Sequence, residues 1–204
     1  MNTRISMMLF LPAAMITVNA PAQAENFEGP FVGVEGGYSR DDIGPDIEDD
    51  IEISEDLDRD AAYFQLFAGY DHAVADKVRL GVEAAIGIGA DDELSLSDGT
   101  DSVSLDPEFS FELTGRAGYL VGENTMLYAR GGYHSSRVEL TITEEGTADF
   151  QDKGYVEGFL VGGGFEHAFG DNLRSRIEYR YSDLGSNGAN WDRHQVLAGV
   201  LYNF

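Results

Sequence analysis

The stretch Leu173-Arg174-Ser175-Arg176-Ile177-Glu178-Tyr179-Arg180-Tyr181 decides how the rest of the chain is read. Side chains two apart share one face of a strand. Leu173, Ser175, Ile177, Tyr179 and Tyr181 therefore form one face, and Arg174, Arg176, Glu178 and Arg180 the other. An α-helix would scatter both sets around its circumference, so the segment reads as a two-sided strand. The same period recurs outward from it. In 78–88, Val78, Leu80, Val82, Ala84, Ile86 and Ile88 oppose Arg79, Gly81, Glu83, Ala85 and Gly87. In 109–119, an apolar row from Phe109 to Tyr119 opposes Ser110, Glu112, Thr114, Arg116 and Gly118. In 127–135, Leu127, Ala129, Gly131 and Tyr133 oppose Tyr128, Arg130, Gly132 and His134. The final segment sets Val196, Ala198, Val200, Tyr202 and Phe204 against Gln195, Leu197, Gly199, Leu201 and Asn203. Segments near 31–39, 62–72 and 155–168 alternate less cleanly.

The connections between these segments are of two kinds. Ala75-Asp76-Lys77, Gly122-Glu123-Asn124 and Gly170-Asp171-Asn172 are tight. Those near 41–60, 89–106 and 139–153 are long and acidic, and one near 183–191 is rich in Gly, Asn and Ser. Short and long alternate, and seven connections join eight strands. The expected fold is all-β, an eight-stranded antiparallel up-and-down barrel.

Which face points inward decides whether the barrel spans a membrane. The apolar rows carry aromatic residues near both ends. Tyr70, Tyr119, Phe165, Tyr202 and Phe204 fall toward the tight turns. Tyr38, Phe64, Phe109, Tyr133, Tyr155 and Tyr181 fall toward the long connections. Two aromatic girdles are what two lipid interfaces select. The polar rows hold Gly, Arg and Glu, which suit a crowded interior where guanidinium and carboxylate pair bidentately. A ten-residue strand tilted near 45° rises roughly 23 Å, close to the apolar band of an outer membrane. The barrel is therefore expected to be transmembrane, apolar face outward.

The first residues carry a different signal. Arg4 precedes a mostly apolar run, Ile5 to Val18, and Ala22-Gln23-Ala24 fits a small-residue cleavage site. Residues 1–24 are expected to be a secretory signal peptide cut after Ala24, and 25–204 the barrel domain. The 204 residues carry a formal charge of −24 and no Cys, so disulfides play no part and a nucleic-acid partner is excluded on electrostatic grounds.

Four segments resemble the outer-membrane protein β-barrel family, which includes small porin-family and opacity-type surface antigens and is related in form to OmpA- and OmpX-type barrels. They are Gly33-Val34-Glu35-Gly36-Gly37-Tyr38, Gly115-Arg116-Ala117-Gly118-Tyr119, Ile177-Glu178-Tyr179-Arg180-Tyr181 with Asp183-Leu184-Gly185, and Val200-Leu201-Tyr202-Asn203-Phe204. The resemblance covers the chain after residue 24. It implies a bacterial outer-membrane location with both mature termini periplasmic, and a barrel without the appended peptidoglycan-binding domain of full OmpA-type proteins. Tyr202 and Phe204 at the aromatic carboxy-terminus resemble the signal read by the barrel-assembly machinery.

The interior set holds the acids Glu35, Asp71, Glu83, Glu112, Glu166 and Glu178 and the bases Arg79, Arg116, Arg130, Arg174, Arg176, Arg180 and Arg193. Near-neutrality inside a strongly acidic chain points to mutual pairing, because an uncompensated buried charge costs several kcal/mol. A plugged interior is expected, with a selectivity filter as the alternative. Between 41 and 60 lie eleven acids and one base, Arg59. Asp56, Asp58 and Asp60 resemble the opening of a calcium loop, but Ala61 replaces the turn glycine and Phe67 the bidentate glutamate. Weak divalent-cation binding by the loops is what survives. His134 and Ser136 share a face and could pair as base and nucleophile, though no further group supports a hydrolase. Gly162-Gly163-Gly164 lacks phosphate-loop spacing, and His72, His134, His167 and His194 are scattered.

The expected function is a non-enzymatic structural or surface protein. Its interior is filled, its outer loops are acidic, and it contributes to envelope integrity or surface contact. It has no cofactor and no catalytic residues. Its partners are outer-membrane lipid, lipopolysaccharide and the assembly machinery, and it acts as a monomer. A narrow porin-like channel is the first alternative and a lipid A-modifying enzyme the second.

Overall fold

The computed structural model describes residues 27–45, 57–90, 94–97, 102–143, 150–185 and 189–204. The expected signal peptide, residues 1–24 with Ala22 and Ala24, and Asp56 of the acidic loop lie outside them. Nine strand segments follow in order: β1 Gly29–Pro45, β2 Leu57–Ala75, β3 Val78–Ala90, β4 Leu94–Ser97, β5 Ser102–Leu120, β6 Thr125–Thr143, β7 Phe150–Ala168, β8 Leu173–Asp183 and β9 Ala189–Asn203. Each pairs antiparallel with its sequence neighbours, except that β3 and β4 do not pair with each other. The ring closes where β1 meets β9, from Phe31↔Asn203 to Pro45↔Ala189. β3 and the short β4 both pair with β5, Gly87↔Ser110 and Leu94↔Leu105, so β4 prolongs β3 and the barrel has eight staves. Within the closed ring no sheet edge remains, so the strands' N–H and C=O groups find partners without water. Among the described residues there is no helix.

The strands outrun the sequence reading at one end. β5, β6 and β7 each hold 19 residues. The stretches expected as long loops near 41–60, 89–106 and 139–153 are entered by strand from both sides: β1 runs to Pro45, β2 starts at Leu57 and β6 ends only at Thr143. Nineteen tilted residues rise roughly 44 Å, well beyond the lipid band. Outside that band neither face need be apolar, and the ladder continues through segments whose acidic surroundings read as loop. The tight turns stand as read, at Asp76-Lys77, 121–124 and 169–172.

Burial is inverted relative to a water-soluble barrel. Leu66, Val82, Ile86, Leu113 and Val200 point outward and are exposed, as are the girdle residues Tyr70, Tyr119, Tyr202 and Phe204 at one end and Tyr38, Phe64, Tyr133 and Tyr155 at the other. The fully buried side chains are led by Arg174, Arg176 and Arg180. A surface of this composition is stable only against lipid. Glycine makes room for the large interior side chains. A Cβ on Gly87 would run into the Tyr63 ring, and one on Gly69 into the ring of Phe31.

Candidate functional site

The interior builds up in layers from the tight-turn end. Arg174 on β8 donates to Glu166 Oε2 (2.8 Å), Asp71 Oδ2 (3.4 Å) and Asn203 Oδ1 (2.6 Å). Arg116 on β5 reaches Glu166 Oε1 (2.8 Å) and Glu83 Oε2 (3.2 Å), with its Nε 3.3 Å from Asp71. In the next layer Arg176 grips Glu83 through two nitrogens (2.7 and 3.1 Å) and Glu166 through Nε (3.0 Å). Arg130 donates to Glu83 (2.6 Å), Glu112 (3.1 Å) and Glu178 (3.3 Å). Above them Arg180 joins Glu112 (2.8 Å), Glu35 (2.7 Å) and Glu178 (2.8 Å), and Gln65 bridges Arg180 to Glu35. Farthest out, Arg193 closes on Asp41 with two bonds, 2.5 and 2.9 Å. Charge-assisted and bidentate bonds of this kind are the strong ones.

Aromatic rings fill the gaps between charges. Arg176 lies 4.2 Å from the centroid of Phe67, Arg116 4.5 Å from that of Tyr128, and Arg174 5.1 Å from that of Phe31. A guanidinium is weakly hydrated and planar, so it stacks on a ring while its edge feeds the carboxylates. Tyr128 adds a hydrogen bond to Glu178.

The thirteen interior residues named from sequence are all buried. Twelve join carboxylate–guanidinium pairs. The exception is Arg79, which sits at the tight-turn mouth and donates to the backbone carbonyls of Phe27 (3.0 Å) and Ala75 (3.1 Å). Asp41, counted in sequence with the acidic loop, is an interior residue and the partner of Arg193. Its signal was available: it continues the inward row Glu35, Gly37, Ser39 of β1 by one step. With Asp41 included, seven buried carboxylates face seven buried guanidiniums.

Phe27 gave no signal. It precedes β1, is fully buried, and closes the tight-turn mouth against Met126, Tyr128 and Ala168. Its ring lies 5.2 Å from the Arg174 guanidinium, and its φ of 67° is one that side chains other than glycine rarely adopt. Next to it, Asn203 donates to the carbonyl of Glu28 at 2.6 Å.

His134 meets Ser182 of β8 rather than Ser136: its Nδ1 lies 3.1 Å from Ser182 Oγ and 3.6 Å from Glu112 Oε1. Both approach the same ring nitrogen. A serine hydrolase needs nucleophile and orienting acid on opposite nitrogens of the imidazole base, and Ser182 and Glu112 do not have that arrangement. Of the loop acids, Asp60 accepts a hydrogen bond from Tyr38. Asp58 lies in the β1–β2 ladder opposite Asp42. Among the described residues no three acidic or imidazole groups converge as metal ligands.

A model of the outer membrane protein beta-barrel domain family matches residues 10–204. The chain is 27% identical over 210 residues to the 31 kDa outer-membrane immunogenic protein of Brucella melitensis, covering 91% of this chain and 87% of that one. It is 28% identical over 192 residues to the 22 kDa outer membrane protein of Rhizobium leguminosarum, covering 89% and 80%. Neisserial surface protein A superposes with a TM-score of 0.55 at 16% identity, over 86% of this chain and 97% of that one, a likeness of fold. The inverted barrel and the match across nearly the whole chain agree: the chain belongs to the outer membrane protein β-barrel domain family and is an eight-stranded barrel of the bacterial outer membrane.

Proposed function

We propose that this barrel is a non-enzymatic surface protein, plugged by its own side chains, that contributes to envelope integrity and to contacts made by its outer loops. The observation that carries the reading is the buried network: among the described residues six guanidiniums pair with seven carboxylates, and a seventh guanidinium, Arg79, is buried at the tight-turn mouth. A conducting pore needs water beside its charges, whereas here guanidiniums bridge opposite walls. The name of the Brucella relative, an immunogenic protein, supports surface exposure. Both Phe27 and Phe204 lie at the tight-turn end, and short turns are the periplasmic ones in such barrels, so both termini are assigned to the periplasm. Planar-bilayer recording of the purified protein tests the plug. No large steady conductance is expected; large sustained currents would replace the plug with the narrow channel.

Two further parts of the reading have their own tests. Tyr202 and Phe204 form the assembly signal. Phe204 donates its N–H to the Pro30 carbonyl (3.0 Å) and its ring packs edge-on against Tyr202, so it anchors the closing seam. Deleting Phe204 should lower surface levels far more than synthesis, as read by surface labelling against whole-cell protein; unchanged surface levels remove the signal. The acidic loops bind divalent cations weakly, on the order of millimolar, as flexible oxygen ligands without a cage do, and among the described residues none is gathered into one. Such cations would bridge the loops to anionic lipopolysaccharide. Calcium calorimetry should show reduced heats when Asp56, Asp58 and Asp60 are changed to Asn, and equal heats would leave the loops merely solvated.

A further inference from the structure

We infer that the buried charges of this chain are sorted along the sequence so that its two ends attract one another, and that this attraction directs the closing of the ring before β1 and β9 pair. The leading strands β1–β3 bring the carboxylates Glu35, Asp41, Asp71 and Glu83 into the interior, with one buried guanidinium, Arg79, which is taken up by backbone carbonyls. The trailing strands β8 and β9 bring Arg174, Arg176, Arg180 and Arg193, with one carboxylate, Glu178. Between them β5, β6 and β7 are balanced, Glu112 and Glu166 against Arg116 and Arg130. A neutral interior does not require this order. Acids and bases alternating from strand to strand would pair within each hairpin as the chain folds locally.

Instead, β8 meets one carboxylate from each of the first three strands. Arg174 reaches Asp71 of β2 (3.4 Å), Arg176 reaches Glu83 of β3 (2.7 and 3.1 Å) and Arg180 reaches Glu35 of β1 (2.7 Å). These partners lie 93 to 145 residues apart in sequence. Arg193 of β9 and Asp41 of β1 repeat the pattern farther out, but Asp41 also has Arg59 opposite it in the β1–β2 ladder, so its pairing is less exclusive. Joining segments so distant costs loop-closure entropy before any contact repays it, which makes such pairings slow. Coulombic attraction acts at a distance and is strong where water is scarce, so opposite blocks lower that cost before the backbones touch. They also select the register. A slip of two residues at the seam keeps every side chain on its own face and preserves the backbone ladder, but it sets Arg180 and Glu35 at different heights.

Refolding of the full barrel from urea into phosphatidylcholine vesicles tests this. Folding and unfolding rates are read by heat-dependent gel migration and by Trp191, which sits on β9 opposite Ile43 of β1 and so reports on the seam. Glu35→Gln removes the charge and keeps the shape; Glu35→Asp keeps the charge and draws the carboxylate back from Arg180. Glu35→Gln should fold at least about fivefold more slowly than wild type, whereas Glu35→Asp should fold within about twofold of it and show its defect as faster unfolding. Glu166→Gln removes a charge of the same sign from the balanced middle of the chain. Its β8 partners Arg174 and Arg176 lie eight and ten residues away, so it should act mainly on unfolding. Equal slowing by Glu35→Gln and Glu35→Asp would mean that contact, not charge, directs closure. Equal slowing by Glu35→Gln and Glu166→Gln would mean that total charge matters and its order does not. Either result, or an unchanged folding rate in Glu35→Gln, overturns the inference. If Glu35→Gln yields no folded barrel, Asp71→Asn and Asp71→Glu make the same comparison on β2.

Discussion

Glu83→Ala should destabilise the folded barrel by about 3–5 kcal/mol, the range seen when one partner of a buried charge pair is removed. Glu83 is the point where three guanidiniums converge: Arg176 through two bonds, Arg130 at 2.6 Å and Arg116 at 3.2 Å. Removing it takes a shared acceptor from three desolvated guanidiniums in two adjoining layers. Arg176→Ala should cost a similar amount for the opposite reason, stranding Glu83 and Glu166. The double variant restores neutrality, so its cost should fall short of the sum by at least about 1 kcal/mol, the signature of coupled neighbours. Urea unfolding of barrels refolded into lipid vesicles, followed by the single tryptophan, Trp191, measures all three. A Glu83→Ala barrel within about 1 kcal/mol of wild type, or strict additivity in the double variant, would mean that water already screens these charges.

This network was legible in sequence because a membrane barrel sorts its residues by parity. Once one strand was phased, as 173–181 was by its arginines, the inward charged residues of the others could be picked out position by position. Legibility failed where the two faces stopped differing. On β2, Phe67 and Tyr63 point inward and are as apolar as the outward Phe64 and Leu66, so composition alone could not phase the strand and Gln65 was missed. The inward aromatics exist to stack under guanidiniums, a requirement set by Arg176 from β8 and invisible in β2 itself. Asp41 was lost for another reason. Acids crowd both parities from 41 onward, so the one carboxylate that turns inward looks like its solvated neighbours. Carrying the inward row of β1 one step past Ser39 would have separated it from them, and the β1–β9 register, which places Asp41 opposite Arg193, does so.

The outer extensions of the strands were hidden by the same logic in reverse. Beyond the lipid the ladder is held by backbone hydrogen bonds, whatever the side chains are. β6 continues through Glu139 and Thr141, paired with Lys153 and Gln151 of β7, and Val138, Leu140 and Ile142 still alternate with them, a signal overridden by the charged and acidic surroundings of the segment. Polarity there marks the end of the membrane and says nothing about the end of the strand.

Phe27 lies outside any such pattern, and its contribution should be large and unusual in kind. Phe27→Ala should cost about 3–5 kcal/mol, as ring-to-methyl truncations in filled cores do. The ring is fully buried against Met126, Tyr128 and Ala168, and it shields one side of the Arg174 guanidinium. From its place ahead of β1 the residue therefore ties the β1–β9 seam to strands on the far wall, while its carbonyl holds Arg79. Its backbone sits at φ 67°, where a Cβ is strained by roughly 1–2 kcal/mol and glycine is not. Alanine loses the ring and keeps the strain; glycine loses the ring and sheds it. At an ordinary extended position glycine would be worse than alanine by about 0.5–1 kcal/mol, through its greater freedom in the unfolded chain. Here Phe27→Gly should be no less stable than Phe27→Ala, while both fall well below wild type. Unfolding in lipid vesicles at matched urea concentrations decides between these orders. If both variants match wild type, the residue is an ornament of the mouth and not its stopper. If alanine exceeds glycine by the ordinary margin, the left-handed backbone at Phe27 is not what the folded protein adopts.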